Sequence, residues 1–367
     1  MKESNYSEIY VSNILGRYIT YDHIDEFING LPSTFKIEKV GESVRGESIK
    51  SITFGNGPKR ILMWSQMHGN ESTTTKAVID LLNYLKRNVA EVSDISNACT
   101  LKIIPILNPD GARDYTRVNA NKIDLNRDAQ DLSQPESRVL RKVFQDFEPY
   151  FCFNLHDQRT IFNVGETNKP ATVSFLAPAF DKERNNSPSR ELSMQLIAAM
   201  NNKLQEEIPG QVGRYDDGFN ANCVGDAFQM SKTPTILFEA GHYHEDYNRE
   251  ETRAFIFKAL LKGVSTLLNN TISDYSIEQY LSIPENGKQF VDVIIKNDDF
   301  ISNHLTNSKA VAIQYKEVLN KGKVEFRPEL HVFEKEPKEL YAHKTLNCND
   351  ENDLKWLKEN DLLNLQP

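Results

Sequence analysis

The feature that most constrains this chain is an alternation of short apolar runs with longer segments of helical periodicity. Ile61-Leu-Met-Trp64, Leu101–Leu107, Tyr150–Leu155, Val173–Leu176 and Thr235–Phe238 have strand length and are mainly apolar. Runs of that kind read as strands covered on both sides of a sheet. Between them, Ser72–Lys86 carries Ala77, Val78, Leu81, Leu82 and Leu85 at helical spacing. Gln134-Pro-Glu-Ser137 opens another helix, with Pro135 in the first turn and Val139, Leu140, Val143, Phe144 and Phe147 on one face. Ser189–Leu204 and Glu250–Leu268 repeat the helical pattern. The pattern predicts an α/β fold: a mixed, mostly parallel sheet with helices on both faces. In such sheets, sites collect beyond the carboxyl ends of the strands.

The pattern breaks in the polar stretch Asn269–Asp274. Beyond it, Phe290–Ile295, Ala310–Tyr315 and Lys323–Phe333 read as short strands, and Asp353–Leu363 as a charged tail helix. The expected division is a main domain over 1–272 and a small β-rich C-terminal module over 273–367. The module is expected to dock on the main domain, restrict access to it or dimerise, without a site residue of its own. Asp298, Asp299, Lys321 and Lys323 read as its solvated surface.

Charge narrows the function. With 43 Lys and Arg against 52 Asp and Glu, the net charge is −9. That excludes a broadly basic nucleic-acid surface, and an anionic substrate group would need dedicated arginines or lysines. Cys99, Cys152, Cys223 and Cys348 form no CxxC pair, so neither a disulfide framework nor a thiolate metal site is expected. No run approaches a membrane span, and the first residues carry no apolar leader segment. The expectation is a cytoplasmic protein that meets no membrane. The sequon Asn70-Glu-Ser72 agrees, because a glycan there would cover His68 and Glu71.

Chemistry-bearing residues stand at the strand ends. His68 and Glu71 follow the Ile61–Trp64 run, three positions apart, where both can meet one cation. His156 follows Tyr150–Leu155. Two imidazoles and one carboxylate with an open position suit a catalytic zinc. Glu239 directly follows Thr235–Phe238, and a carboxylate there is costly to bury without purpose. Beside a polarised water it can take up a proton and pass it on. Asn108-Pro-Asp-Gly111 reads as a turn. Arg113, Arg117 and Arg127 offer forked donors for carboxylates or oxyanions. His242 and His244 flank Tyr243 in an HxH that reads as loop.

His68-Gly-Asn-Glu71, Asn108-Pro-Asp-Gly111, Asp124-Leu-Asn-Arg127, His156 and Phe238-Glu239 occur in an order that resembles the zinc carboxypeptidase (funnelin) family over roughly residues 20–270. The resemblance makes 1–272 the catalytic domain. It implies one Zn2+ per chain on His68, Glu71 and His156, with Glu239 as general base and acid. It implies Arg117 as the arginine that polarises the scissile carbonyl, with Arg113 as competitor. Asn126 and Arg127 would clamp the free carboxylate of a peptide or amide substrate. Tyr215 would close over the substrate, with Tyr243 as alternative. Two positions depart from digestive-type members: Asn70 stands where an arginine is common, and Asp157-Gln-Arg159 follows His156. Arg159 either holds a second acidic substrate group or is surface. Asp226 either recognises a basic side chain or caps a helix.

The implied activity is a zinc exopeptidase that releases the C-terminal residue of peptides. An amidase of cell-wall peptides or acylated amino acids would use the same residues. An inactive binder of peptide ends would be expected to lack a ligand or the base, and all four are present.

Overall fold

The computed structural model describes residues 6–297, 310–331 and 340–363. Asp298, Asp299 and the end of the Lys323–Phe333 run lie outside the described residues. The strands are β1 (Phe35–Glu42), β2 (Ser48–Phe54), β3 (Lys59–Ser65), β4 (Cys99–Ile104), β5 (Phe151–Asp157), β6 (Asn163–Val164), β7 (Val173–Leu176), β8 (Val212–Arg214) and β9 (Thr235–Ala240). They are followed by β10 (Asn286–Gly287), β11 (Phe290–Lys296), β12 (Ala310–Asn320), β13 (Lys323–Leu330) and β14 (Tyr341–Asn347). The helices are α1 (Tyr21–Asn29), α2 (Thr73–Leu85), α3 (Ala90–Ala98), α4 (Pro109–Asp114), α5 (Pro135–Phe147), α6 (Pro188–Leu204), α7 (Val224–Met230), α8 (Glu250–Leu268), α9 (Ile277–Leu281) and α10 (Glu351–Glu359).

Eight strands form the main sheet in the order β1-β2-β4-β3-β5-β9-β7-β8. The four central strands run parallel, and β1, β2 and β7 join antiparallel to their inner neighbours. The sequence reading of a mixed, mostly parallel sheet therefore stands. Alternation along β3 shows why both faces are covered. Ile61 and Met63 enter the large core under α2, α6 and α8. Leu62 and Trp64 enter a second core beneath α5 and α7, where the Phe144 and Phe228 rings stack at 3.9 Å.

Two local expectations change. Asn108-Pro-Asp-Gly111 is not a free turn. Pro109 opens α4, and the Asn108 side chain accepts from the Gly111 N–H at 2.9 Å as its N-cap. His156 and Glu239 lie inside β5 and β9 rather than just past them, because the ladder between the two strands runs to Asp157 and Ala240. The β1–β2 pair at the sheet's edge was not anticipated.

A second sheet, β13-β12-β11-β14, forms the β-rich C-terminal part. It has its own apolar cluster, in which Val293, Ile295, Ile313 and Leu346 pack with Leu357 of α10. Tyr280 and Ile283 belong to the main core, and β10 pairs with β6. All four cysteines are free. Among the described residues, no helix is long and apolar enough to cross a membrane.

Candidate active site

The order β3-β5-β9 sets three adjacent parallel strands side by side, so their carboxyl ends deliver residues to one place. β3 runs into the turn that carries His68 and Glu71, where the Glu71 N–H donates to the His68 carbonyl at 3.1 Å. Gly69 permits this turn to lie on α4. A Cβ there would sit 1.9 Å from the Gly111 carbonyl carbon. β5 delivers His156, and β9 sets Glu239 directly opposite it in register.

The donor atoms of His68, Glu71 and His156 lie within 4.8 Å of one another, and all three residues are buried. His68 Nδ1 is 2.8 Å from one Glu71 oxygen, His156 Nδ1 is 2.8 Å from the other, and the two Nδ1 atoms are 3.1 Å apart. Asp124 accepts from His68 Nε2 at 3.0 Å. That bond leaves the His68 Nδ1 lone pair facing the cluster. Electron-rich atoms so close call for a cation between them. Tetrahedral ligands with Zn–N of about 2.0–2.1 Å stand about 3.3 Å apart, close to the spacing found. The residues therefore fit a zinc ion.

Burial alone would raise the Glu71 carboxyl, but the two adjoining imidazoles hold it well below the usual carboxylate range. His156 is lowered by burial, whereas in His68 the carboxylates of Glu71 and Asp124 outweigh burial and raise it. Glu239 differs. It is 8% exposed, and its Oε2 has no hydrogen-bond partner. Burial, reinforced by Glu71 and Asp157, pushes its carboxyl well up. A carboxyl of raised pKa beside a cation cradle is suited to accept and return a proton.

Arg117 is brought to the cluster and Arg113 is not. Arg117 donates from Nε to Asp124 at 3.0 Å and reaches Glu71 at 3.4 Å, with its side chain half exposed to the cleft. Arg113 is exposed and paired with Asp22 and Glu47. Asn126 and Arg127 line the same cleft, of about 900 Å³. The Asn126 side chain accepts from the Val224 N–H at 3.0 Å, and Arg127 donates to Cys223 Sγ at 3.1 Å. Tyr215 also lines it, its ring 5.5 Å from that of Phe162, and burial raises its hydroxyl pKa. Tyr243 packs on Phe255 instead.

Other candidates resolve separately. Asp226 lines the cleft inside the first turn of α7. It accepts from the Asn220 N–H at 3.0 Å rather than capping its own helix, and burial pushes it up to about 6. Arg159 is exposed at the cleft wall. The His242 and His343 rings lie 4.1 Å apart, tilted by 50°, and neither His242 nor His244 joins the cluster.

Three supports are not evident from the sequence alone. Asp124 stands there only as a letter of the Asp124-Leu-Asn-Arg127 motif. Asp157 donates its N–H to Glu71 and accepts from the Thr73 and Thr74 N–H groups at the start of α2. Arg17, 5% exposed, lies 3.8 Å from Asp157. The acidic letter after His156 was the available signal for Asp157, since a carboxylate at a buried strand end needs partners.

Fold and site together resemble those of metallo-carboxypeptidases. The comparisons with known proteins agree. A sequence profile described as Zinc carboxypeptidase matches residues 20–133, a span that holds His68, Glu71, Arg117, Asn126 and Arg127. His156 and Glu239 lie beyond it and are joined to the others by the fold. Probable carboxypeptidase 2 of Trichophyton verrucosum is 25% identical over 190 residues, covering 50% of this chain and 34% of that protein. Carboxypeptidase D of Homo sapiens is 27% identical over 232 residues, covering 54% of this chain and 16% of that one. The chain thus spans about a third or less of the length of these relatives. Among solved structures, a metallo-carboxypeptidase from Burkholderia cenocepacia superposes with a TM-score of 0.54 at 15% identity, covering 69% of this chain and 70% of that one. Carboxypeptidase A from Helicoverpa armigera gives 0.52 at 17%, covering 69% and 74%. The resemblance to zinc carboxypeptidases seen in the motifs is thereby confirmed.

Proposed function

We propose that the protein is a zinc-dependent exopeptidase that hydrolyses the C-terminal peptide bond of peptides. One observation carries the reading: His68, Glu71 and His156 converge at adjoining strand ends, with Glu239, whose Oε2 has no hydrogen-bond partner, beside them. One zinc ion per chain would sit on those three residues and would supply a water of pKa about 7 and a polarised scissile carbonyl. Asp124 holds the His68 tautomer that offers Nδ1. Glu239 takes the proton of the attacking water and returns it to the departing amine. Arg117 turns its guanidinium to the developing oxyanion, where one donor is worth about 2.7–4 kcal/mol. Arg127 and the Asn126 amide hold the chain-end carboxylate, and Tyr215 closes the cleft over the bound end. The same reading keeps residues 1–272 as the catalytic part and 273–367 as an accessory module in a cytoplasmic protein.

The test compares N-acetylated peptides with free and amidated C-termini. Release of the terminal amino acid from the free acid alone, abolished by a zinc chelator, is the expected result. Equal cleavage of the amide would remove Asn126 and Arg127 from recognition. Cleavage of acylated amino acids or wall peptides alone would replace the exopeptidase with the amidase.

A further inference from the structure

The C-terminal sheet does not hang free of the cleft. Tyr315 and Glu317 of β12 and Phe326 of β13 line it together with the metal-site residues. Glu317 and Phe326 are cross-strand partners and share one face of the sheet. Tyr247 packs between Tyr315 at 5.4 Å and Phe326 at 5.2 Å.

This wall is pinned. Asp292 of β11 is fully buried, and it accepts from the Tyr247 hydroxyl at 2.9 Å, the Thr160 hydroxyl at 3.2 Å and the Tyr315 N–H at 2.7 Å. Thr160 belongs to the loop that leaves β5 just after His156. Its carbonyl also accepts from His343 Nε2 of β14 at 2.8 Å, and its hydroxyl accepts from the Gln314 amide at 2.6 Å. Glu317 pairs with Arg17 at 3.1 Å and accepts a hydrogen bond from the Tyr115 hydroxyl. The Asp292 carboxylate and the Thr160 hydroxyl and carbonyl are each hydrogen-bonded across the junction, which ties the sheet to the β5 loop.

Two separate sets of contacts lead away from the metal-site residues. His68 bonds to Asp124 and Asp124 to the Asn126 N–H, while Arg127 donates to Cys223 beside α7. Glu71 accepts from the Asp157 N–H, and Arg17 pairs with both Asp157 and Glu317. The carboxylate-binding pair and the β12–β13 hairpin are thus tied to the metal-site residues through different partners, and both line the one cleft. With the chain end on Arg127 and the scissile carbonyl at His68, Glu71 and His156, Glu317 and Phe326 remain as cleft-lining residues for the upstream part of a peptide. The cleft volume of about 900 Å³ is that of a small-ligand pocket, about 300–1,000 Å³.

We infer that the β12–β13 hairpin is the upstream wall of the substrate cleft and restricts the enzyme to short peptides, with Phe326 as a specificity-determining residue. The inference rests on the exopeptidase reading. Its test is a series of N-acetylated peptides of two, three, five and eight residues, all ending in the residue released fastest. kcat/KM is expected to fall on the order of tenfold or more between the two- and five-residue members, because longer chains must displace ordered wall side chains. Phe326 lies outside the sheet's apolar cluster, so Phe326→Ala leaves that core intact. The variant is expected to narrow the short-to-long ratio at least about threefold, through faster cleavage of the long members. Equal rates at every length in the wild type would overturn the inference and leave the exopeptidase reading standing. A length preference untouched by Phe326→Ala would overturn the wall as its source. Failure to cleave any member would remove the exopeptidase reading and the inference with it.

Discussion

Asp124 offers a sharp test because its two oxygens serve different partners. Oδ1 accepts from His68 Nε2 at 3.0 Å and from the Asn126 N–H at 2.9 Å. Oδ2 accepts from Arg117 Nε at 3.0 Å. Asp124→Ala removes both functions. Loss of such a support under a metal-binding histidine typically weakens affinity about 10–100-fold, which is about 1.4–2.7 kcal/mol. Asp124→Asn keeps an oxygen for His68 but turns an amide N–H toward the Arg117 donors. Zinc affinity should then stay within about threefold of wild type, while kcat falls by up to about 100-fold as Arg117 loses its anchor. Arg117→Met should reproduce that loss, and the double variant should add little to it, since the two residues act as one unit. Competition against a chromophoric chelator reads the affinity, and peptide hydrolysis reads kcat. Asp124→Ala holding zinc as tightly as wild type would refute the reasoning. So would equal loss of affinity in the Ala and Asn variants.

Glu239→Gln should lower kcat by about 10²–10⁴-fold with zinc content unchanged, as metal analysis and steady-state kinetics will show; unchanged turnover would remove Glu239 as the base. Asp292 carries a pH signature, because burial pushes its carboxyl up to about 6 from an ordinary 3.8. A raised folded-state value means the native protein holds that proton more tightly, so the group's favourable contribution is complete below about pH 4 and is lost as pH rises through 6. The lost contribution is about 3 kcal/mol, from roughly two pH units at 1.36 kcal/mol each. Asp292→Asn should therefore gain stability relative to wild type as pH rises from 4 to 7, read by urea unfolding; a variant-minus-wild-type stability difference that is flat or falls over that range would contradict the assignment.

What the sequence made legible was whatever rests on local pattern. The Ile61–Trp64 run, its helix and His68 with Glu71 were readable because a doubly covered strand is apolar throughout and must end in polar residues. β1 was not, because Phe35–Glu42 alternates apolar with exposed charged residues at the sheet's edge and looks like surface. Arg113 and Arg117 sit in one aperiodic stretch, and only the fold decides between them by bringing Asp124 to Arg117. β14, Tyr-Ala-His-Lys-Thr-Leu-Asn, gives little signal because most of it is half-buried against other elements. The wall made by Glu317 and Phe326 was invisible for a related reason. Its meaning lies in contacts to Arg17, Tyr115 and Tyr247, far away in the chain. Asp292 inside Phe-Val-Asp-Val-Ile-Ile was the one available hint that β11 packs against polar partners.

The central claim concerns what His68, Glu71 and His156 hold. The direct measurement is anomalous diffraction at the zinc edge from crystals of the zinc-loaded protein. The account predicts one strong peak per chain, about 2.0–2.2 Å from His68 Nδ1, His156 Nδ1 and a Glu71 oxygen. No peak between those three side chains, or a peak elsewhere such as beside His242 and His343, would contradict it.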